Sequence, residues 1–198
     1  MKNKKMIVQL SEGLGNQLFM YAHGYALSKN SGFKMIIDNV TGYERKKNLL
    51  RKHQKYMLDY FKLDTPLVKK DFLINSKYFF FLKKIIQLYD KISKKKTFYI
   101  EDRSIVNNKK IVNKLTRISP INLSNKFYVI GNYENPEYFN KYQNDIIKKF
   151  QIKEKFLNLH NPIINDLLNS NSVSIHLRRD KFSDQQGVSS QFLSQKSE

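Results

Sequence analysis

The sequence predicts an α/β fold built on a parallel sheet. Three segments carry this prediction: a compact apolar run at residues 6–10, helical spacing of apolar residues over 16–29, and a second apolar run at 34–38. A strand, a crossover helix and a second strand in this order form a βαβ unit, whose two strands lie parallel in one sheet. We therefore expect a parallel sheet at the start of the chain.

Each element of this unit has its own signal. The run at 6–10 leads into Ser11, Glu12 and Gly13, which is typical of a buried strand entering a glycine turn. Gly32 follows the helical segment at the place where a left-handed residue ends a helix. Asp38 ends the second strand. The apolar face of the helix is marked by Leu18, Phe19, Ala22, Tyr25 and Ala26.

The rest of the chain alternates helical and strand-like segments. Residues 43–99 are very basic and mostly helical in pattern, and residues 127–130 predict a strand that is followed by a helix over 137–152. A junction near Pro162 and a short helix precede an alternating strand at 173–177. The helical stripe within 77–93 consists of Tyr78, Leu82, Ile85, Ile86, Tyr89 and Ile92.

Composition excludes some classes of protein. The chain has 198 residues, no cysteine and a formal net charge of +19. Disulfides and thiolate chemistry are therefore excluded, and the chain fits a reducing compartment. No apolar run is long enough for a signal peptide or a membrane span, so we predict a cytoplasmic protein. The charge favours polyanionic ligands, although lysines scattered in this way are usually a solvated surface.

The first chemical signal is the run from Gly13 through Gly15, Asn16 and Gln17. Glycines let a ligand approach the backbone, and the N-terminus of the following helix offers free N–H groups to an anion. Two alternatives stay open. One is a plain tight turn, and the other is a nicotinamide dinucleotide site with Asp38 on the ribose. A leucine at position 18, where that fingerprint has its third glycine, weakens the dinucleotide interpretation.

The second signal lies at the predicted strand 173–177. Arg178 and Arg179 follow it directly, and their guanidinium groups suit the oxygens of a diphosphate. His176 shares a strand face with Arg178, so it can donate a hydrogen bond to the same ligand or its sugar. The alternative is that the two arginines begin a solvent-exposed loop.

Three segments together resemble glycosyltransferase family 11, the α-1,2-fucosyltransferases. The run EGLGNQLFMYA at 12–22 is similar to the family's G-G-L-G-N-Q-L-F-Q-Y-A type run, with Glu12 in place of a glycine. GNYENPEYF at 131–139 is similar to its aromatic G-Y-W-Q-S-E-K-Y-F segment. HLRR at 176–179 matches the H-x-R-R core of the H-x-R-R-x-D motif shared among GDP-fucose enzymes. The resemblance covers essentially the whole chain.

This resemblance implies a GT-B-like enzyme with two Rossmann-like domains. Residues 1–165 would form the N-terminal, acceptor-side domain, with a basic helical insertion at about 43–99. Residues 166–198 would begin the C-terminal GDP-fucose-binding domain and leave it incomplete, so we expect a truncated chain whose activity is in doubt. The implied reaction moves L-fucose from GDP-fucose to the 2-hydroxyl of a terminal galactose in a glycan. It proceeds with inversion, and no metal or other cofactor is expected.

The resemblance also implies roles for individual residues. Asp180 and His176 are the catalytic candidates, with Asp38 and Asp184 as further possible bases. An ungapped alignment places Lys181 at the family's acid, whereas a one-residue deletion restores Asp180 there. The expected contacts with GDP-fucose are Arg178, Arg179, His176, Gly13, Gly15, Asn16 and Gln17.

The charge leaves an alternative function open, a basic module without catalysis that binds nucleic acid or an anionic membrane. Nucleic acid is not expected, because the aromatic residues of 78–96 repeat at helical spacing like a core rather than as a stacking platform. The same basic segment is predicted to pack against its own domain. A peripheral contact with an anionic membrane, at the inner face of the cytoplasmic membrane, is the alternative.

Overall fold

The computed structural model describes residues 4–44, 54–69, 79–93, 96–101, 123–157 and 162–173. The chain divides into two compact units, Met1–Phe156 and Leu157–Glu198. The first unit holds a parallel sheet with helices on both faces. The predicted α/β class is thereby confirmed, and the arrangement is Rossmann-like.

Four strands form the sheet, and every neighbouring pair is parallel. Their order across the sheet is β2-β1-β4-β3, so β1 lies inside it between β2 and β4. All four strands therefore end at one carboxyl edge, which is where ligands bind in open α/β sheets. The strands are β1 (Lys5–Gln9), β2 (Lys34–Asp38), β3 (Lys96–Ile100) and β4 (Leu123–Ile130).

The helices divide between the two units. The first unit contains α1 (Leu14–Ser31), α2 (Thr41–Glu44), α3 (Phe79–Ser93) and α4 (Gln143–Lys149). The second unit contains α5 (Pro162–Leu168). Short 3-10 turns lie at Leu58–Tyr60, Pro136–Tyr138, Asn140–Tyr142 and Glu154–Phe156. None of the helices in the described ranges is long and apolar enough to cross a bilayer.

Strand alternation explains why both faces of the sheet are covered. Met6 and Val8 of β1 lie in one core cluster with Tyr21 of α1. Ile7 belongs to a second cluster, against which Ile86 of α3 packs. Because successive side chains of a strand point to opposite faces, β1 is apolar on both sides, as a buried parallel strand requires.

Helix α1 ends as the sequence predicts. Gly32 has φ 71° and ψ 13°, and its N–H donates to the carbonyl of Ser28 at 2.9 Å. This left-handed conformation costs glycine little, so the predicted cap is confirmed.

The structure differs from the helical pattern predicted for 43–99 in two places. Residues 54–69 contain the 3-10 turn Leu58–Tyr60 and no α-helix. Part of their backbone pairs instead with the segment after α4: the N–H of Lys62 donates to the carbonyl of Gln151 at 2.8 Å, and that of Lys153 donates to the carbonyl of Tyr60 at 2.9 Å. Lys96–Ile100 is strand β3 of the main sheet. The predicted helix over 77–93 is present as α3.

The single helix predicted over 137–152 is broken into two 3-10 turns and α4. The first turn begins at Pro136, where the side chain of Asn135 accepts a hydrogen bond from the N–H of Glu137 at 2.8 Å. Phe139 then leaves the helical region, with φ −140°. Tertiary packing overrides the helical periodicity here, since Phe139 contacts Phe19 of α1 at a centroid distance of 6.0 Å.

The second unit is described only at Leu157 and over 162–173. The domain boundary predicted at 165/166 falls within helix α5. The strand predicted at 173–177 lies outside the described residues, apart from Val173. The second Rossmann-like domain and the GT-B-like pairing therefore stay predictions.

Candidate functional site

The glycine loop lies at the carboxyl edge of the sheet, between β1 and α1. Gly13 is the N-cap residue of α1; no side chain caps the helix there, and its first turn contains no acid. The first N–H groups of a helix have no partner within the helix, and the aligned dipoles of α1 place partial positive charge at this end. The helix therefore presents uncapped donors toward the loop surface.

Neither Gly13 nor Gly15 is required by the backbone. Gly13 has φ −80°, and Gly15 also lacks a positive φ. A Cβ atom added at either position would meet no atom within 4 Å, and both residues are exposed. Neither glycine is left-handed, but Gly13 is an N-cap residue, where glycine is favoured, so the alternative of a plain tight turn stays open. What the two glycines provide is open surface in front of the helix.

The strained residue of the loop is Glu12, with φ 67°. Side chains other than glycine disfavour this left-handed conformation by roughly 1 kcal/mol. The carbonyl of Glu12 accepts a hydrogen bond from Nε2 of Gln17 at 3.0 Å, which helps to hold the turn. In the α-1,2-fucosyltransferase run that residues 12–22 resemble, a glycine stands at this position, the one in the loop where the backbone favours it.

Gln17 is fully buried, and its amide is engaged within the protein. Besides the bond to Glu12, Nε2 donates to the carbonyl of Lys55 at 2.8 Å, and Oε1 accepts from the N–H of Met57 at 2.9 Å. Both amide hydrogens are thus used. Gln17 ties the segment at 55–57 to the glycine loop, so a bond from this amide to a donor sugar nucleotide would have to replace one of these hydrogen bonds.

Asn16 differs from its neighbour. Its side chain is half-buried and forms no hydrogen bond with the described residues. It lies in the first turn of α1, beside the uncapped N–H groups. Among the described polar side chains predicted to contact the donor, Asn16 is the one whose amide is available.

Asp38 is almost fully buried at the end of β2, and its carboxylate is saturated locally. Oδ1 accepts from the N–H groups of Val40 at 3.0 Å and Thr41 at 2.9 Å, while the Thr41 hydroxyl donates to Oδ2. Gln9 of β1 completes the network by donating to the Thr41 hydroxyl at 2.6 Å. Asp38 therefore caps α2. This inward role argues against Asp38 as a ribose-binding acid and against it as a catalytic base.

Tyr43 of α2 is half-buried, and its hydroxyl is shielded from water. Its hydroxyl has no hydrogen-bond partner among the described residues. Burial raises the pKa of Tyr43 far above its ordinary value, and the neighbouring Tyr56, Asp38 and Glu12 raise it further. Tyr43 therefore stays a neutral hydrogen-bond donor at any physiological pH.

The aromatic segment after β4 packs directly on α1. Tyr133 is buried with φ 52°, and its ring stacks on the imidazole of His23. Tyr138 meets the same imidazole edge-on, with a centroid distance of 4.9 Å. The sequence segments 12–22 and 131–139 are therefore neighbours through the helix that starts at the glycine loop, and the second segment positions the first.

Sequence reasoning missed Glu101, which follows β3. Its carboxylate accepts from the N–H groups of Asn132 at 2.8 Å and Tyr133 at 3.1 Å. Gly131 permits this approach, because a Cβ there would lie 2.4 Å from Cβ of Glu101. The available signal was an acid directly after the strand-like residues 97–100.

Comparison with known proteins shows that the chain is similar to an enzyme. The chain is 30% identical over 186 residues to the alpha-1,2-colitosyltransferase of Escherichia coli, across 88% of this chain and 54% of that protein. The chain is thus similar to a glycosyltransferase. It spans about half the length of this relative. No protein-family model matches the chain, and no solved structure matches it.

The structure brings Gly13, Gly15, Asn16 and Gln17 together at the start of α1. The other predicted site residues lie outside the described residues, so their roles stay predictions; they are His176, Arg178, Arg179, Asp180 and Asp184. Within the described ranges no three His, Cys, Asp or Glu side chains are grouped to hold a metal ion.

Proposed function

We propose that the protein transfers L-fucose from GDP-fucose to the 2-hydroxyl of a terminal galactose in a glycan, with inversion and without a required metal. The observation that carries this proposal is the open glycine loop in front of the uncapped, 18-residue helix α1. The similarity to a transferase that forms an alpha-1,2 linkage supports the reaction class.

The loop suits the charge that develops during this reaction. The acceptor oxygen forms a bond to the anomeric carbon while the bond from that carbon to the diphosphate oxygen breaks. Negative charge then grows on the departing GDP. N–H groups fixed at the N-terminus of α1 stabilise such charge without reorganisation, and Gly13 and Gly15 let the phosphates come close. The amide of Asn16 supplies a further donor.

The proposal also assigns donor-binding and proton-transfer roles to residues 176–180. Arg178 and Arg179 bind the diphosphate oxygens in bidentate fashion, and His176 binds the donor beside them. The proton of the acceptor hydroxyl passes to Asp180 or His176 acting as general base. The net charge of +19 raises the local concentration of an anionic donor around the protein.

The test compares donor binding by the unaltered chain with binding by two variants of α1. Gly15→Leu fills the open surface at the loop, whereas Asn30→Leu places the same side chain on the exposed last turn of the helix. Calorimetry with GDP-fucose is expected to show about a tenfold or greater loss of affinity for Gly15→Leu and little change for Asn30→Leu. Equal affinities for the two variants would remove the loop from the donor site.

Product analysis tests the reaction itself. The chain is incubated with GDP-fucose and a galactose-terminated acceptor, and the linkage is read by NMR. An arm with an activated colitose donor examines the sugar named for the relative. Preference for that donor would overturn the choice of fucose and leave the transferase class standing. Failure of the folded chain to bind either sugar nucleotide would contradict the proposed function.

A further inference from the structure

Helix α3 carries an exposed apolar stripe. Its members are 46–81% exposed, and they occupy positions i, i+4, i+7, i+8 and i+11, which lie on one side of an α-helix. Monomeric proteins rarely leave such a contiguous apolar surface in water without a function for it. The stripe consists of Phe81, Ile85, Leu88, Tyr89 and Ile92.

A different side of α3 fixes the helix to its domain. Ile86 packs against the second core cluster of the sheet, where it meets Ile7, Phe98 and Tyr128. Because Ile86 lies outside the stripe on the helix circumference, packing on the sheet leaves the stripe pointing away from this cluster. Of the apolar residues that the sequence predicts on one side of this helix, Ile86 packs against its own domain, whereas Ile85, Tyr89 and Ile92 are exposed.

The charge around the helix is strongly positive. The segment 77–96 contains seven lysines and a single aspartate. Lys84 is exposed in the middle of α3, next to Ile85 of the stripe. The whole chain carries a formal charge of +19, so the field around the stripe attracts negatively charged surfaces.

We propose that α3 docks on the surface of an anionic bilayer, with the stripe buried at the boundary of headgroups and acyl chains and the lysines against lipid phosphates. An apolar face beside lysines is the composition of interfacial helices. A helix of 15 residues is roughly 22 Å long, too short to span a hydrocarbon core of about 30 Å, so it lies in the membrane plane.

Charge complementarity and the apolar stripe together favour an anionic bilayer over other partners of α3. A nucleic acid would satisfy the lysines and leave five large apolar side chains in water. An uncharged apolar groove of a protein would accept the stripe but would gain nothing from the positive charge of the seven lysines of 77–96. An anionic lipid surface satisfies both at once.

The test is co-sedimentation of the full chain with vesicles. One set is phosphatidylcholine alone, and the other is an equal mixture of phosphatidylcholine and phosphatidylglycerol. Binding is expected for the mixture, with little for the neutral vesicles, and it should weaken as salt is raised. Leu88→Glu combined with Ile92→Glu should lower the bound fraction at least about tenfold, because two charges would enter the apolar boundary.

A matched control comes from α4, where Ile147 is 56% exposed and lies outside the stripe. Ile147→Glu should leave vesicle binding unchanged. All three substitutions are at exposed positions, so circular dichroism should show folded protein in each case. Equal binding to neutral and anionic vesicles, or equal loss for Ile147→Glu, would overturn the proposal.

Two further outcomes would identify a different binding partner for this surface. If the chain fails to bind vesicles but forms a dimer in sedimentation that Leu88→Glu dissociates, a second copy covers the stripe. If it fails to bind vesicles but binds duplex RNA equally with and without Leu88→Glu, the lysines serve nucleic acid. Either result overturns the membrane proposal. GDP-fucose binding is measured on the same variants and should be unaffected. The membrane proposal and the transferase proposal can therefore be contradicted separately.

Discussion

The imidazole ring of His23 stacks on the phenol ring of Tyr133, with ring centroids 3.8 Å apart and 15° between the ring planes. Both side chains are buried. Neither imidazole nitrogen has a hydrogen-bond partner in the described part of the chain. At His23, helix α1 and the segment 131–139 are thus held together by ring contact rather than by a polar bond, so protonation of the imidazole would place an unpaired charge in this contact.

Acid should destabilise the protein through His23. Burial lowers the pKa of His23 to about 3 from an ordinary value of 6.5. Between these values the unfolded chain takes up a proton and the folded chain does not, so stability falls as pH falls. The slope is about 1.4 kcal/mol per pH unit, or about 2 kcal/mol between pH 6.5 and 5. Urea unfolding at about pH 7.5 and about pH 5 measures this loss.

His23→Phe is the control for this prediction. Phenylalanine keeps a ring against Tyr133 and cannot titrate, so the loss of stability between the two pH values should be smaller by about 2 kcal/mol. The same loss in both proteins would show that another group is responsible.

Relief of strain at Glu12 should stabilise the fold. Glu12→Gly and Glu12→Ala remove the same carboxylate, but only glycine adopts φ 67° without cost. The glycine variant should therefore be more stable than the alanine variant by about 1 kcal/mol in chemical denaturation. At an ordinary position the order is reversed, because glycine loses more backbone entropy on folding. An alanine variant at least as stable as the glycine variant would contradict the strain.

Gly42 and Gly15 should respond oppositely to alanine. A Cβ at Gly42 would lie 1.9 Å from the carbonyl oxygen of Leu10, a backbone atom that has little room to move. Gly42→Ala should cost about 2–3 kcal/mol or prevent folding. Gly15→Ala meets open space within α1 and should be neutral or stabilising by up to about 1 kcal/mol. Thermal unfolding of both variants checks the contrast, and similar midpoints would refute it.

Removal of the Gln17 amide should loosen the glycine loop. Gln17→Met keeps most of the side-chain volume but leaves the N–H of Met57 and the carbonyls of Glu12 and Lys55 without partners. Unsatisfied buried groups of this kind cost about 1–3 kcal/mol each when water cannot reach them. We expect a total loss of about 2–4 kcal/mol in urea unfolding. Asn16→Ala, one residue away, should change stability by less than about 0.5 kcal/mol.

Local signals predicted the first half of the sheet. The strands β1 and β2 and helix α1 were predicted to within a few residues, because their apolar patterns are short-range and Gly32 marks the helix end. Strand β3 was missed because Lys96 extends a lysine run and the strand depends on pairing with β4, which follows more than 20 residues later. The β-branched and aromatic residues at 97–100 favour a strand, but the local sequence does not show which strand they pair with.

The sequence predicted which residues of the described part belong to the candidate site, but not the contacts that these residues make. The glycine loop was placed correctly at the end of β1, since a turn between strand and helix is a local feature. The sequence does not show that Gln17 bonds to Lys55 and Met57, because these partners are 38 and 40 residues away. The inward role of Asp38 depends on Thr41 and on Gln9 of the neighbouring strand.

The carboxylate of Glu101 affects where an anion can bind at the carboxyl edge of the sheet. Paired backbone N–H groups, such as those of Asn132 and Tyr133, form a concave cradle that binds phosphate in other proteins. Here the cradle holds an anion that the chain itself supplies, and tethering gives this carboxylate a high effective concentration. A free phosphate would have to displace it, whereas no acid of the first turn competes at α1. Under the proposed function, an incoming diphosphate would therefore meet occupied N–H groups at Asn132 and Tyr133 and uncapped ones at the glycine loop.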